Sequence, residues 1–213
     1  MNAGRLASTD STSWSLRYRT PESWAARVVP HLPELLVEQA HLEKKAAAAA
    51  VAFLFRLPAG PELHRELSAL AREELVHFER TLRILQGRGI AFGPQAPCDY
   101  AARLKAAVTS HMPGRLLDEL LISAVIEARS QERMALLGRA VTASDPELAA
   151  FYRELCAAEV RHGPTYIEAA LACFPREQVA SRWAVMVQHE TAVLQALPWS
   201  AHLHGGVAAE QAE

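Results

Sequence analysis

The sequence predicts an all-α fold, a four-helix bundle of two antiparallel helix pairs with additional short and C-terminal helices. Three observations predict it. Alanine, leucine, glutamate and arginine dominate the 213 residues while β-branched residues rarely cluster, which favours long helices. Glycine and proline gather at a few places, so those helices are bounded by short breaks. Half of the residues are hydrophobic, enough for one domain of this length to bury a continuous core.

The breaks fall at Pro58-Ala59-Gly60-Pro61, from Gly87-Arg88-Gly89 to Pro97, at Met112-Pro113-Gly114, at Ser144-Asp145-Pro146, at Phe174-Pro175 and at Pro198. Five main helices are therefore expected over roughly 33–57, 61–86, 113–141, 146–173 and 175–197, with a shorter one near 98–110. The first carries the run Ala46 to Ala50, strong helix former on a packing face. A tight turn joins the first helix to the second and another joins the third to the fourth, whereas about 25 residues of less regular sequence separate the hairpins. That asymmetry predicts two antiparallel pairs with one long crossover, the ferritin-like connectivity. Nothing marks a second domain, so residues 1–213 read as one, with about 1–20, polar and mixed, expected to be poorly ordered.

Several classes are disfavoured. Cys98, Cys156 and Cys173 are odd in number and contain no C-x-x-C pair, which argues against a disulfide framework or a thiolate metal site. No stretch has the roughly 18 uninterrupted apolar residues of a membrane span, and Met1 to Thr20 lacks the apolar core of a secretion signal, so a soluble, cytoplasmic protein without membrane contact is expected. With 22 basic against 24 acidic residues there is no global field for nucleic acid, so any RNA contact must be a local patch.

What interrupts the apolar stripe of each helix carries the chemistry, because a bundle core normally excludes charge. The stripes run Leu36, Ala40, Glu43, Ala47, Ala50, Leu54; then Leu67, Leu70, Glu74, His77, Thr81, Ile84; then Leu116, Leu120, Ala124, Glu127, Gln131, Met134; and Leu148, Tyr152, Leu155, Glu159, His162, Tyr166. Each helix has a mid-length inward glutamate, and two have a histidine three residues later, close to one turn on, so both side chains point to the same spot. Glu43 precedes Glu74 by 31 positions and Glu127 precedes Glu159 by 32. A single Glu-x-x-His is more often a solvated pair; its duplication at matching intervals is not.

Four converging glutamates would bring a charge near minus four into the core, at a cost of several kcal/mol for each uncompensated carboxylate. Two divalent cations cancel that charge. Glu43, Glu74, His77, Glu127, Glu159 and His162 form the di-iron or di-manganese carboxylate pattern, richer in oxygen than zinc sites usually are. His41, His64, His111, His189, His202 and His204 lack comparable partners and read as surface or loop histidines.

Four segments resemble the tRNA 2-methylthio-isopentenyl-adenosine hydroxylase family, ferritin-like proteins that hydroxylate the isopentenyl tail of the adenosine beside the anticodon. They are Glu38-Gln39-Ala40-His41-Leu42-Glu43-Lys44-Lys45-Ala46-Ala47, Glu73-Glu74-Leu75-Val76-His77-Phe78-Glu79, Ile126-Glu127-Ala128-Arg129-Ser130-Gln131-Glu132-Arg133 and Glu159-Val160-Arg161-His162. The resemblance implies the same six ligands. The chain departs from the family pattern where Asp-His-Ala-His-Cys-Glu is replaced by Glu38 to Glu43, and Leu203-His204-Gly205-Gly206 only approximates a His-Ser-Gly ending.

The resemblance further implies two iron ions, dioxygen as co-substrate and an external electron donor, supplied by an unidentified electron-transfer protein. The substrate would be tRNA, presented through its anticodon loop to a monomer or small homo-oligomer. Small residues beside the ligands, Ala47, Ser123, Ala124 and Ser130, would leave room for dioxygen and a thin prenyl tail. Lys44, Lys45, Arg129 and Arg133 are the candidates for holding phosphates at the site mouth. Two other readings compete: an iron-oxidising or peroxide-detoxifying protein with no organic substrate, and a metal-free helical adaptor.

Overall fold

The computed structural model describes residues 14–58 and 60–207. Its elements are α1 (Ser23–Val28), a 3-10 turn (Val29–His31), α2 (Leu32–Leu54), α3 (Pro61–Gly87), α4 (Tyr100–Lys105), α5 (Gly114–Ala140), α6 (Pro146–Cys173) and α7 (Arg176–Ala196). The five long helices expected from the sequence are all present. The segment expected to be helical over 98–110 forms only the short α4, because Ala106 to Val108 continue it as turns rather than helix.

Helix ends follow local chemistry. Pro61 and Pro146 open α3 and α6 at the first turn, where a missing N–H removes no bond. The Asp145 carboxylate accepts from Leu148 N at 3.0 Å and caps α6. At the end of α3, Gly89 adopts a left-handed φ of 66° while Ile90 N returns to Leu85 O at 2.9 Å. That is the glycine helix stop, and it starts the crossover.

The α2–α3 hairpin packs against the α5–α6 hairpin through α3 and α6, with α7 laid on α5. Buried apolar residues fall into two clusters. One holds Ala50, Phe53, Leu67, Leu70, Leu120, Ala124, Tyr166 and Ala170 together with α7. The other holds Leu35, Leu36, Ala40, Leu85, Met134, Leu137, Leu148, Tyr152 and Leu155, with Trp24 and Leu203. Along every bundle helix the inward glutamate lies between these clusters, so the bundle is an apolar, charged, apolar stack. Two apolar ends of this kind hold the backbone fixed around a layer that by itself resists burial.

Residues 1–13 of the segment expected to be poorly ordered lie outside the described residues. Residues 14–20 do not meet that expectation. Trp14 stacks edge-on against Trp183 at 5.9 Å, and Thr20 is buried with its backbone N and hydroxyl both donating to Glu132. None of the described helices is long and apolar enough to cross a membrane.

Candidate metal centre

All six glutamates and histidines singled out by spacing are buried, between 0 and 6 % exposed. They form two overlapping groups: Glu43, Glu74, His77 and Glu159, and Glu74, Glu127, Glu159 and His162. Within each group one ligand atom per residue lies within 4.8 Å of the others. Glu74 and Glu159 belong to both groups, so the carboxylates of the two Glu-x-x-His helices stand between two positions about which the other ligands divide.

The histidines turn Nδ1 inward. His77 Nδ1 is 3.5 Å from Glu74 and 3.8 Å from Glu43, and His162 Nδ1 is 2.7 Å from Glu74 and 3.2 Å from Glu159. These approaches lack hydrogen-bond direction, and both Nδ1 atoms, both Glu74 oxygens and Glu159 Oε2 are buried without a hydrogen-bond partner. So many orphaned donors and acceptors around one point are costly in a folded core unless something else binds there. The donor set, four carboxylates and two imidazoles, suits a pair of divalent first-row cations, and the residues present fit that group.

The electrostatics agree. Burial, and then the neighbouring Glu74, pushes the Glu43 carboxyl well above its usual range; burial and Glu159 do the same to Glu127. Burial raises Glu159 to about 7. His162 is pulled both ways: burial favours its neutral form, but the facing carboxylates of Glu159 and Glu74 prevail and raise it to about 12. A metal-free centre therefore holds extra protons in place of cations.

A cavity of about 640 Å³ runs from Glu43, Glu74, Glu127 and Glu159 outward between α2, α4 and α5. Leu42, Phe53, Ile122, Ile126, Met134 and Tyr166 give it an apolar wall. Of the small residues expected beside the ligands, Ser123 and Ser130 line this cavity; Ala47 and Ala124 are buried helix contacts instead. Lys45, Arg56, Lys105 and Arg115 stand exposed along its rim, Arg56 and Arg115 both paired with Glu119, which lies on the same rim.

The phosphate candidates separate. Lys45 is exposed on the rim and bonds Gln95, and Lys44 is exposed with its ammonium 5.3 Å from the Phe92 ring. Arg129 and Arg133 are 0 % exposed, with their guanidinium groups turned to acceptors inside the protein. Arg129 forks onto Glu190 at 2.8 and 3.0 Å and donates to Thr20, Glu132 and Tyr18 O. Arg133 donates to Leu203 O and Gly205 O, both at 2.7 Å, and lies over Trp24. The Glu-Ala-Arg-Ser string thus clamps the N-terminal segment, α7 and the C-terminal loop onto α5.

His204 is likewise no surface histidine. It is buried, bonds Ser130 Oγ at 3.0 Å, stacks on Tyr100 at 4.8 Å and lines the cavity. Burial and the two nearby arginines hold it well below the usual imidazole range, so it is neutral at pH 7. Glu38, also missed, lines the cavity beside it and accepts from Leu203 N at 2.7 Å. The glycines after His204 are required by space: a Cβ on Gly206 would fall 1.9 Å from Leu197 O.

This arrangement can be compared with known proteins. The profile of the family described as tRNA-(MS[2]IO[6]A)-hydroxylase (MiaE) matches residues 8–205. The chain belongs to the MiaE family. A relative from Pseudomonas putida, named tRNA 2-(methylsulfanyl)-N(6)-isopentenyladenosine(37) hydroxylase, is 33 % identical over 188 residues, covering 88 % of this chain and 90 % of the relative. A Salmonella typhimurium protein of the same name is 32 % identical over 152 residues, 71 % of this chain and 55 % of its own length. Among solved structures, "Protein 43 with aldehyde deformylating oxygenase activity from Synechococcus" superposes with a TM-score of 0.84 at 37 % identity, covering 93 % of this chain and all of that one. The all-helical ferritin-like architecture of this MiaE family member is thus shared with an oxygenase, and the carboxylate and histidine layer sits at its centre.

Proposed function

We propose that this MiaE family member is a dioxygen-dependent, non-haem di-iron monooxygenase that hydroxylates the isopentenyl side chain of 2-methylthio-isopentenyl-adenosine next to the anticodon of tRNA. The observation that carries this reading, beside family membership, is the cavity: a largely apolar passage that reaches the carboxylate layer from a rim bearing Lys45, Lys105 and the Glu119-paired Arg56 and Arg115. A prenyl tail fits the passage and a ribose-phosphate chain fits the rim.

Glu43, Glu74, His77, Glu127, Glu159 and His162 would hold two iron ions, with Glu74 and Glu159 shared between them. The pair would supply activation of dioxygen, with electrons delivered by a separate electron-transfer protein. The remaining work belongs to the chain. Ile122, Ile126, Leu42 and Met134 exclude water and hold the prenyl tail against the layer; Ser123 and Ser130 keep the passage narrow without closing it. Lys45, Lys105, Arg56 and Arg115 meet phosphates of the anticodon loop. Phe55, 85 % exposed beside Arg56, offers a stacking face for an unstacked base.

A second reading takes an aldehyde into the same passage, and the Synechococcus structure is the observation favouring it. The cationic rim distinguishes them, since an aldehyde has no use for four cations. An iron-handling protein without organic substrate would have no use for the cavity at all.

The test is nucleoside mass spectrometry of tRNA from a strain lacking its own hydroxylase, with and without this protein. Appearance of the hydroxylated nucleoside, abolished by Glu127→Ala, is expected. Unchanged tRNA together with deformylation of an aliphatic aldehyde by the purified protein would replace the tRNA reading with the second one.

A further inference from the structure

The two hairpins repeat the same ligands, but their surroundings are not repeated. His162 Nε2–H donates to Glu73 Oε2 at 3.0 Å, and Glu73 is itself held by Arg161 at 3.0 Å. Glu73 belongs to the other hairpin, immediately before Glu74. At the equivalent place before Glu159 stands Ala158, which offers no carboxylate to His77. Among the described residues no hydrogen bond is formed by His77 Nε2; the ring instead borders a groove in which Arg80 is paired with Glu154.

A carboxylate on the outer nitrogen of a ligating imidazole fixes its tautomer, aims Nδ1 inward and makes that nitrogen a stronger donor. We infer that the two ion positions are unequal, Glu73 making the position of Glu127, Glu159 and His162 the tighter one, so that metal fills it before the position of Glu43, Glu74 and His77. Glu73 is then a positioning residue, acting on the metal through His162. Its side chain is 43 % exposed, so its role is not that of a core contact.

The inference rests on the metal-centre reading, and cobalt titration of the metal-free full-length protein without dioxygen tests the two separately. Visible absorption of the bound ion reports each step. Two steps are expected, with affinities separated by about ten- to a hundredfold. His162→Ala removes the tighter step and His77→Ala the weaker. Glu73→Gln, nearly isosteric and uncharged, narrows the gap, and Glu73→Ala narrows it further. Neither shifts the thermal midpoint of the metal-free protein by more than a degree or two. A single step for two ions, a gap unchanged in Glu73→Ala, or loss of the tighter step in His77→Ala overturns the inequality while leaving the centre intact. A protein that binds no cobalt overturns the metal-centre reading itself. None of these outcomes depends on the identity of the organic substrate.

Discussion

Arg129 and Glu190 form a two-pronged ion pair, 2.8 and 3.0 Å, with both side chains fully buried between α5 and α7, and the Tyr100 hydroxyl donates to the same carboxylate at 3.1 Å. The pair anchors the wall of the cavity rather than its floor. Removing Glu190 leaves the buried Arg129 guanidinium with only the half-buried Glu132 as carboxylate partner, a loss of about 3 kcal/mol. Glu190→Ala should therefore lower the urea midpoint strongly. The double change Arg129→Met with Glu190→Leu should recover part of the loss, because neither charge is then left alone.

Glu38 gives a pH signature. Burial raises its carboxyl from the ordinary 4.5 to about 7, against the opposing bond from Leu203 N. Between those values the folded chain keeps a proton that the unfolded chain has lost, so folding stability falls as pH rises through that window, by up to about 3 kcal/mol. Glu38→Gln keeps an acceptor for Leu203 N and removes the titration. Its urea midpoint should match the wild type at pH 4.5 and exceed it at pH 7.5.

Metal should reverse the same trend at the centre. Without ions, the raised carboxyls of Glu43, Glu127 and Glu159 make stability fall as pH rises toward 7, and His162, raised to about 12, continues the fall above its ordinary 6.5. Divalent ions bind only the deprotonated ligands. The rise in thermal midpoint on adding metal should accordingly be small at pH 5 and large at pH 7.5, as differential scanning calorimetry would show.

Blocking the passage should separate chemistry from metal. Ser123 lies half-buried in the cavity wall and points no atom at the ligands' hydrogen bonds. Ser123→Phe should fill the passage and lower tRNA hydroxylation about a hundredfold or more, while metal content stays at two ions per chain.

Rim and platform should part on salt. Lys105→Ala removes one phosphate contact, so RNA affinity should fall and the slope of log affinity against log salt should shrink by about 1. Phe55→Ala should weaken binding by about 1–3 kcal/mol with the slope unchanged, because stacking releases no counterions. Filter binding of an anticodon stem-loop at several salt concentrations checks both.

The convergence of the six buried glutamates and histidines was legible because each is local: a glutamate alone in an apolar stripe, or a glutamate and histidine one turn apart, needs only helical periodicity to be placed. Hairpin lengths and the crossover followed from glycine and proline. Arg129 and Arg133 were not legible in the same way. On an isolated helix an arginine belongs outside, but α5 is packed on nearly every side, and the groups that accept from these arginines, Glu190, Thr20 and Leu203 O, lie 61 to 113 positions away. His204 was missed for the same reason, since it sits in a loop without periodicity and is buried only by what Arg133 and Glu38 hold down.

That loop divides the molecule along the chain as well as in space. All six candidate ligands lie at or before residue 162, and the α2–α3 and α5–α6 hairpins end by residue 173. The buckle of Arg133 on Leu203 and Gly205 comes last. The six-residue cluster is thus complete in the sequence some forty residues before the segment that seals the cavity above it. Cluster and seal come from separable stretches of chain, and a chain stopped at Leu197 should keep the first and lose the second.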